Sequence, residues 1–493
     1  MNYLINADDA KETDKYSIEQ IGIPSLCLME QAAYSILYEI KRIVKNICSV
    51  SIVTLNGNNG ADGLALARML KSNGIDVCVF LLKNPQNGTD EYKIQYNIIK
   101  QMNINCISIT EENIDSLVFG DVIVDGIFGI GLRRNIEGVI YKVIEKINRS
   151  DGTVFSIDIP SGLDATNGEV RGISVKADYT VTFGKCKSGM YLCDGREFCG
   201  EIFIENIFPE KSYDNIEDRL YYLEEKDLLR IPPRQNTSNK GTYGTVNIVG
   251  GGGNMSGAVI LSSSAAYRTG AGLVKVYAGR QNLDTIKCGM IEAVVNEISD
   301  FTSENINPSK DVIAIGPGLS TSESMKDILI KVLNTKSKKV IDADALNLMS
   351  KNRKLLDKLD ESCILTPHIK EMSRLTGLET DYIRKNTLKV SRQFAKKYKC
   401  IVVLKDATTV ITSGDKIFIN RSGNSSMSKG GSGDVLSGII AALLAMKMDI
   451  FDAAVLGTYI HGLAGEYASE EFGLYSVNAK DIVNSIFKVM KQR

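Results

Sequence analysis

Between residues 50 and 183, short β-branched runs alternate with amphipathic stretches of helical period, which restricts the fold more than any other feature of the chain. VSIVTL (50–55) reads as a buried strand, followed by a glycine turn and the helix LALARMLKSN. IDVCVFLL, a helix from about Glu91, NCISI, DVIVDGIF (121–128), a helix near 137–148, TVFSIDIP (153–160) and DYTVTF (178–183) continue the rhythm. Such alternation predicts a mostly parallel sheet with helices on both faces. IPSLCLMEQAAYSILYEI, upstream, reads as a further helix packed on that sheet. A second α/β series opens at TVNIVGG (245–251) and passes through LVKVYAG, DVIAIGPG, KKVIDADAL, CILTPH and CIVVLKDA into a helical C-terminal third. Between the two, KSYDNIEDRLYYLEE (211–225) is polar and breaks the pattern. With 493 residues the chain is too long for one ordinary core. Two α/β domains are therefore expected, over 1–211 and 226–493, joined by a linker at 212–225.

The formal net charge of -1 offers no basic footprint for nucleic acid and no polybasic membrane anchor. Ten cysteines are scattered without a CxxC pair, which suits free thiols in a reducing compartment. Only His368 and His461 are present, excluding a histidine-rich metal centre. MNYLINADDAKETD is acidic where a signal peptide would be basic and then apolar. LSGIIAALLAM, the longest apolar run of helical character, is far shorter than the ~20 residues of a membrane span. A cytoplasmic chain acting on small molecules is expected, with no nucleic-acid or membrane partner; homo-oligomerisation stays open.

Two glycine-rich turns carry the chemistry. In NGNNGADG, Gly57, Gly60 and Gly63 follow a strand and precede a helix, the setting in which backbone N–H groups approach phosphate. On its own this turn equally suits a tight connection capped by Asp62. Three more strand ends add polar groups: Asp125 in VDGIFGIGL, Asp158 and Ser161 in SIDIPSGLD, and Lys187 in TFGKCKSG. Their convergence on one crevice is not required by structure alone. The second turn, SKGGSGDVLSG, places Gly430, Gly431, Ser432 and Gly433 before an apolar helical run. It leaves the first helical N–H groups open as an anion hole. Asp434 then stands where it can accept the proton of a hydroxyl attacking a phosphoryl group.

IPSLCLMEQAA, GNNGADGLALAR, DGIFGIGL, SIDIPSGLDATNGEV and TFGKCKSG together resemble the NAD(P)H-hydrate epimerase domain, which has a Rossmann-like fold. NKGTYGTVNIVGGGGNMSGA, AAYRTGAGLV, IGPGLS, VIDADALNL, LTPHIKEMSRLTG, VVLKDATTVI and GNSSMSKGGSGD resemble, in order, the NAD(P)H-hydrate dehydratase domain, which is ribokinase-like. The first resemblance implies that Asn58, Asn59, Gly60, Ala61 and Asp62, with Gly129, Ile130, Gly131, Leu132, Arg133, Arg134 and Asn135, hold the hydrated nicotinamide nucleotide, together with Asp158. It further implies a K+ site at Asn59, Asp125 and Ser161, whose hard oxygen donors suit such an ion. Asp158 is the candidate acid/base at ring carbon six. The second resemblance implies that Ala258, Gly318, His368 and Asp434 hold the hydrated dinucleotide. It places ADP or ATP, with Mg2+, against Lys405, Asp406, Ala407, Thr408, Thr409, Asn424, Gly430, Gly431, Ser432 and Gly433.

Taken together, the resemblances imply a repair enzyme. One half would interconvert the R and S epimers of hydrated NADH and NADPH. The other would dehydrate the S epimer at the expense of ADP or ATP. Four departures from the family patterns stand out: Cys186 for proline, Asn239 for histidine, Ile369-Lys370 for Pro-Gly, and Asp406 for glycine. The alternative is a ribokinase-like kinase of vitamin-precursor alcohols fused to a non-catalytic Rossmann-like scaffold. Asp342 and Asp344 are expected to cap and position the helix after them, and His461 to be a core histidine.

Overall fold

The computed structural model describes residues 2–491 except 215, 217 and 218. Its backbone divides into two compact units, Tyr3–Leu220 and the chain from Tyr221 onward. Positions 215, 217 and 218 of the expected linker lie outside the described residues. Its other residues are not a solvated tether. Ser212 and Tyr213 are buried in the first unit, and Tyr222 and Leu223 in the second. The aromatic and leucine side chains among the charges are what anchor this polar stretch.

The first unit is a seven-stranded, wholly parallel sheet. Its strands are β1 (Ser49–Thr54), β2 (Asp76–Leu81), β3 (Asn105–Ser108), β4 (Val122–Gly126), β5 (Thr153–Ile157), β6 (Tyr179–Phe183) and β7 (Glu201–Glu205). They lie in the order β3-β2-β1-β4-β5-β6-β7. This is the doubly wound arrangement, whose ligand crevice opens where the strand order reverses, between β1 and β4. Pairing of Val53 with Asp125 and Thr54 with Gly126 aligns the two strand ends at that crevice. Helices α1 (Ala7–Glu19), α2 (Ser25–Ile43), α3 (Asn58–Ser72), α4 (Asp90–Gln101) and α5 (Gly138–Asn148) surround the sheet. Leu28, Met29, Ala32, Ala33, Ile36, Leu37 and Ile40 of α2 recur at helical spacing and are buried against α3 and β6.

The second unit contains β8 (Thr245–Val249), β9 (Leu273–Ala278), β10 (Val294–Glu297), β11 (Asp311–Ile315), β12 (Lys339–Ile341), β13 (Cys363–Leu365), β14 (Ile401–Leu404), β15 (Val410–Thr412) and β16 (Ile417–Ile419). They lie in the order β16-β15-β14-β13-β12-β11-β8-β9-β10. The sheet is parallel from β10 to β14 and antiparallel at β14-β15-β16. Helices α6 (Ser256–Thr269), α7 (Ala343–Lys351), α8 (Ile369–Thr376), α9 (Ser432–Ala445) and α10 (Ile450–Ser476) position its site. The sequence of α9 suggests one buried face, but the helix is buried nearly all round, between α6 and α10. Gly438 permits this: a Cβ there would lie 2.1 Å from the Ser262 carbonyl oxygen of α6.

Candidate active sites

In the first unit, the carboxyl ends of β1, β4, β5 and β6 enclose a cavity of about 540 Å³, roofed by α1 and α2. Asp158 follows β5 directly and has φ 64°, a left-handed conformation that aspartate tolerates better than most residues. This turn aims its carboxylate at β6. There it accepts hydrogen bonds from Thr182 Oγ1 at 3.1 Å and Phe183 N–H at 3.2 Å, and pairs with the Lys187 ammonium. Lys187 is buried, and its other donors reach Thr182 Oγ1 at 2.8 Å and the Phe183 carbonyl at 3.1 Å. All three ammonium donors are thereby occupied, so the pair is rigidly held.

Beneath the crevice, Asp125 is wholly buried. It accepts from Ser156 Oγ at 2.9 Å, Ser161 Oγ at 2.6 Å, Ser161 N–H at 2.8 Å and Ile127 N–H at 3.2 Å. Burial raises its pKa, and these hydrogen bonds pull the other way. Two cavity-lining polar atoms, Asn59 Nδ2 and Tyr213 Oη, are buried without a hydrogen-bond partner among the described residues. Each such orphan costs about 1–3 kcal/mol. A polar occupant would relieve both.

In the second unit the parallel strands again end on one rim. Gly318 follows β11, Asp342 follows β12, His368 follows β13 and Lys405 follows β14. Asp342 is buried, accepting from Lys405 Nζ at 2.9 Å and from Ser437 Oγ of α9 at 2.8 Å. Gly431 starts α9 at φ 92°, where only glycine is comfortable, and a Cβ on Gly433 would sit 3.1 Å from Lys405 Nζ. The glycine turn thus lies directly against the ion pair. Burial, with Asp342 and Asp344 nearby, pushes the Asp434 carboxyl up to about 7, partly opposed by Lys405. Burial likewise brings Glu371 to about 7. It disfavours the Lys405 ammonium, but Asp342, Glu371 and Asp434 outweigh it and hold that pKa above the ordinary lysine value. An acid/base near neutrality at the mouth of an open helix N-terminus is suited to proton transfer during phosphoryl transfer.

Residues 25–189 match the family model described as YjeF-related protein N-terminus, and residues 246–488 match the model for NAD(P)H-hydrate dehydratase. The bifunctional NAD(P)H-hydrate repair enzyme of Thermofilum pendens is 33% identical over 99% of this chain and 96% of its own length. The chain belongs to the bifunctional NAD(P)H-hydrate repair enzyme family. The enzyme of the same description from Escherichia coli is 31% identical over 98% of this chain and 93% of its own length. A crystal structure of the ADP/ATP-dependent NAD(P)H-hydrate dehydratase from Bacillus subtilis, co-crystallized with ATP/Mg2+, covers 55% of this chain and 98% of that one. It is 28% identical, with TM-score 0.50. A ribokinase-like superfamily protein from Enterococcus faecalis is 29% identical, also at 0.50, over 56% of this chain and 98% of that one.

Within this bifunctional repair-enzyme fold, Asn58, Asn59, Asp62, Gly129, Ile130, Gly131, Leu132 and Asp158 line the first cavity. Gly60 and Ala61 do not, being turned into the buried side of α3. Arg133, Arg134 and Asn135 are also off its wall: all three are exposed, and Arg133 pairs with Asp8 at 3.1 Å. Arginines on a solvent-facing loop gain more from water than from a cavity edge. In the second unit, a Cβ on Gly318 would lie 3.3 Å from the Ala258 methyl, so these two expected ligands are neighbours. His368 caps α8, its Nδ1 accepting from Lys370 N–H at 3.1 Å and Glu371 N–H at 3.2 Å. Asn424 caps a short turn at Ser425–Met427, and Thr408 is buried while Asp406 and Ala407 are exposed. His461 is buried as expected, with Nε2 3.2 Å from Ser432 Oγ.

Asp342 departs from expectation. It occupies the N-cap position of α7 but makes no side-chain cap bond, because its oxygens are taken by Lys405 and Ser437. Asp344 accepts from Ser320 N–H at 2.8 Å, holding the loop after β11. Removing Asp342 takes the closest partner from a largely covered ammonium, with Glu371 and Asp434 left to hold it, so Asp342→Ala should destabilise the second unit by about 1–3 kcal/mol in chemical denaturation. A loss under about 1 kcal/mol would show that the pair carries no such weight. Two features went unread in the sequence. Asp14, on the polar helix α1, lines the first cavity, and Thr182 binds both members of the Asp158–Lys187 pair.

Proposed function

We propose that the first unit interconverts the R and S epimers of hydrated NADH and NADPH, and that the second dehydrates the S epimer using ADP or ATP. The observation that carries this reading is Asp434, a carboxyl poised near neutrality behind the glycine turn that opens α9. In the second unit the C6 hydroxyl oxygen attacks the terminal phosphoryl group, Asp434 accepts the hydroxyl proton, and the N–H groups of Gly430, Gly431 and Gly433 bind the phosphoryl oxygens, that of Ser432 being turned to the Lys429 carbonyl. The ring nitrogen lone pair then expels phosphate to leave an N1=C6 iminium, and loss of a C5 proton to the departing phosphate regenerates the dihydropyridine, one hard step replaced by easier ones. Lys405, fixed by Asp342, supports the nucleotide phosphates. Among the described residues no three His, Cys, Asp or Glu side chains gather to hold a metal, so Mg2+ would be carried on the nucleotide's phosphates.

In the first unit Asp158 exchanges a proton with the C6 hydroxyl while Lys187 and Thr182 fix its orientation. The donors Asn59, Asp125 and Ser161 fit K+: Asp125 is a buried carboxylate with no cationic partner among the described ion pairs, and turning the orphaned Asn59 amide over would offer its oxygen. When bound, the ion would supply positive charge that balances the Asp125 carboxylate. Epimer exchange is expected to fall when K+ is replaced by tetramethylammonium. Asp125→Asn should raise the K+ concentration for half-maximal rate by roughly 10-fold or more. Exchange indifferent to K+ would remove the ion from this site.

Free thiols at all ten cysteines support a reducing compartment for the chain. No helix among the described residues is long and apolar enough to cross a membrane. The deciding assay mixes both hydrated NADH epimers with ADP or ATP and follows return of the dihydronicotinamide absorbance. Complete recovery of both epimers is expected. Recovery of neither would refute the reading.

A further inference from the structure

In the second unit the loop 422–433 carries residues expected against the nucleotide phosphates, and one helix, α10, holds it at several points. Gly423 N–H donates to Glu466 Oε1 at 2.7 Å, and Asn424 Nδ2 donates to Ser469 Oγ at 2.8 Å. A Cβ on Gly465 would lie 2.3 Å from the Met427 sulfur, so the helix backbone itself presses on the loop. The last link joins Ser432 Oγ to His461 Nε2 at 3.2 Å, and both residues are buried. Ser432 is the first residue of α9, and its own N–H is turned to the Lys429 carbonyl.

Of Gly430, Gly431, Ser432 and Gly433, only the serine has a side chain by which the turn can be gripped. Glycine backbone is costly to order, and an anion hole is effective only when its N–H groups are aimed beforehand. Building on the dehydratase reading, we propose that His461 is a positioning residue for phosphoryl transfer, acting through the Ser432 hydroxyl to fix the aim of the N–H groups that open α9. Packing alone does not ask for histidine here. Leu456, Ile460 and Ala464 surround it on α10 and are wholly buried, and a leucine would join them without the cost of desolvating an imidazole. Burial, then the Lys405 ammonium, lower the His461 pKa to about 4, so the ring is neutral, with one N–H and one bare nitrogen. A serine hydroxyl can donate or accept, so the link holds with either tautomer.

The test supplies the full chain with pure S epimer and ADP and follows return of the dihydronicotinamide absorbance. His461→Leu should lower kcat by about 10- to 10²-fold, with KM for the S epimer near wild type and stability to denaturant preserved. Ser432→Ala should give a similar loss. The double variant should be no slower than the worse single one, because both cut the same link. His461→Gln, which keeps a polar nitrogen near the position of Nε2, should recover part of the rate. Because the chain has only two histidines, the His461 ring can be followed by nitrogen NMR, and its signals should shift when ADP binds. Wild-type kcat in both single variants, losses that multiply in the double variant, or ring signals indifferent to bound ADP overturn the proposal while leaving the dehydratase reading standing. Should His461→Leu not fold, Ser432→Ala and the ring signals decide. A wild-type chain that recovers no absorbance from the S epimer with either nucleotide overturns both readings together.

Discussion

Asp434→Ala is expected to abolish nucleotide-dependent recovery of both hydrated epimers, because every molecule must pass through the second unit. Loss of a positioned acid/base ordinarily costs 10²- to 10⁴-fold, about 3–5 kcal/mol of barrier. The same carboxyl should reveal itself in stability. Its pKa in the fold, about 7, lies above the ordinary 3.8, because burial and neighbouring acids oppose its charge. Well below pH 3.8 the group is neutral in both folded and unfolded chains and costs nothing. As pH rises toward 7 the unfolded chain gains from ionisation what the folded one cannot, so stability falls, and above 7 the cost is constant. Asp434→Asn removes this cost. It should leave stability unchanged well below pH 3.8 and raise it at neutral pH. The rise from 3.8 to about 7 sets an upper limit of ~4 kcal/mol, and partial exposure of the carboxyl brings the expectation to ~2 kcal/mol. An inactive variant stabilised in that direction would identify Asp434 as strained for function. An active variant, or one destabilised at neutral pH, would dismiss it from the reaction.

The sequence disclosed what is written locally. A buried strand, a glycine turn and a helix are contiguous, so Gly57 ahead of α3 and Gly431 ahead of α9 could be placed from their neighbours alone. Asp158 and Asp434 stood at the ends of such units and were legible for that reason. Contacts between strand ends were not. Asp342 and Lys405 are 63 positions apart and meet at 2.9 Å only because β12, β13 and β14 lie side by side. From sequence, Asp342 looked like a helix cap; the sheet gives it a stronger, buried partner. Asp14 was hidden differently. NADDAKETDKYSIE is polar, so one more acidic residue carries no signal until the helix is laid across the crevice. Strand β7 escaped because EIFIE is only half-buried at the sheet edge and lacks the continuous apolar run of the inner strands.

Asp158→Asn should separate the two activities within one molecule. Starting from pure S epimer, recovery of absorbance should match wild type, since the second unit is untouched. Starting from pure R epimer, the rate should fall by about 10²- to 10⁴-fold toward that of the spontaneous interconversion. Asparagine is the informative replacement because position 158 has φ 64°, which asparagine adopts nearly as readily as aspartate. Alanine there would add about 1–2 kcal/mol of backbone strain and confuse folding with chemistry. The asparagine oxygen can still accept from Thr182, Phe183 N–H and Lys187, so the buried ammonium keeps a partner while the base is gone. Lys187→Met makes the complementary cut: it leaves the carboxylate but frees its orientation, and should lower the R-epimer rate less than Asp158→Asn does. If R and S were recovered equally fast in Asp158→Asn, the cavity would be a binding site whose chemistry lies elsewhere. If S also slowed, the two units would be coupled through more than shared substrate.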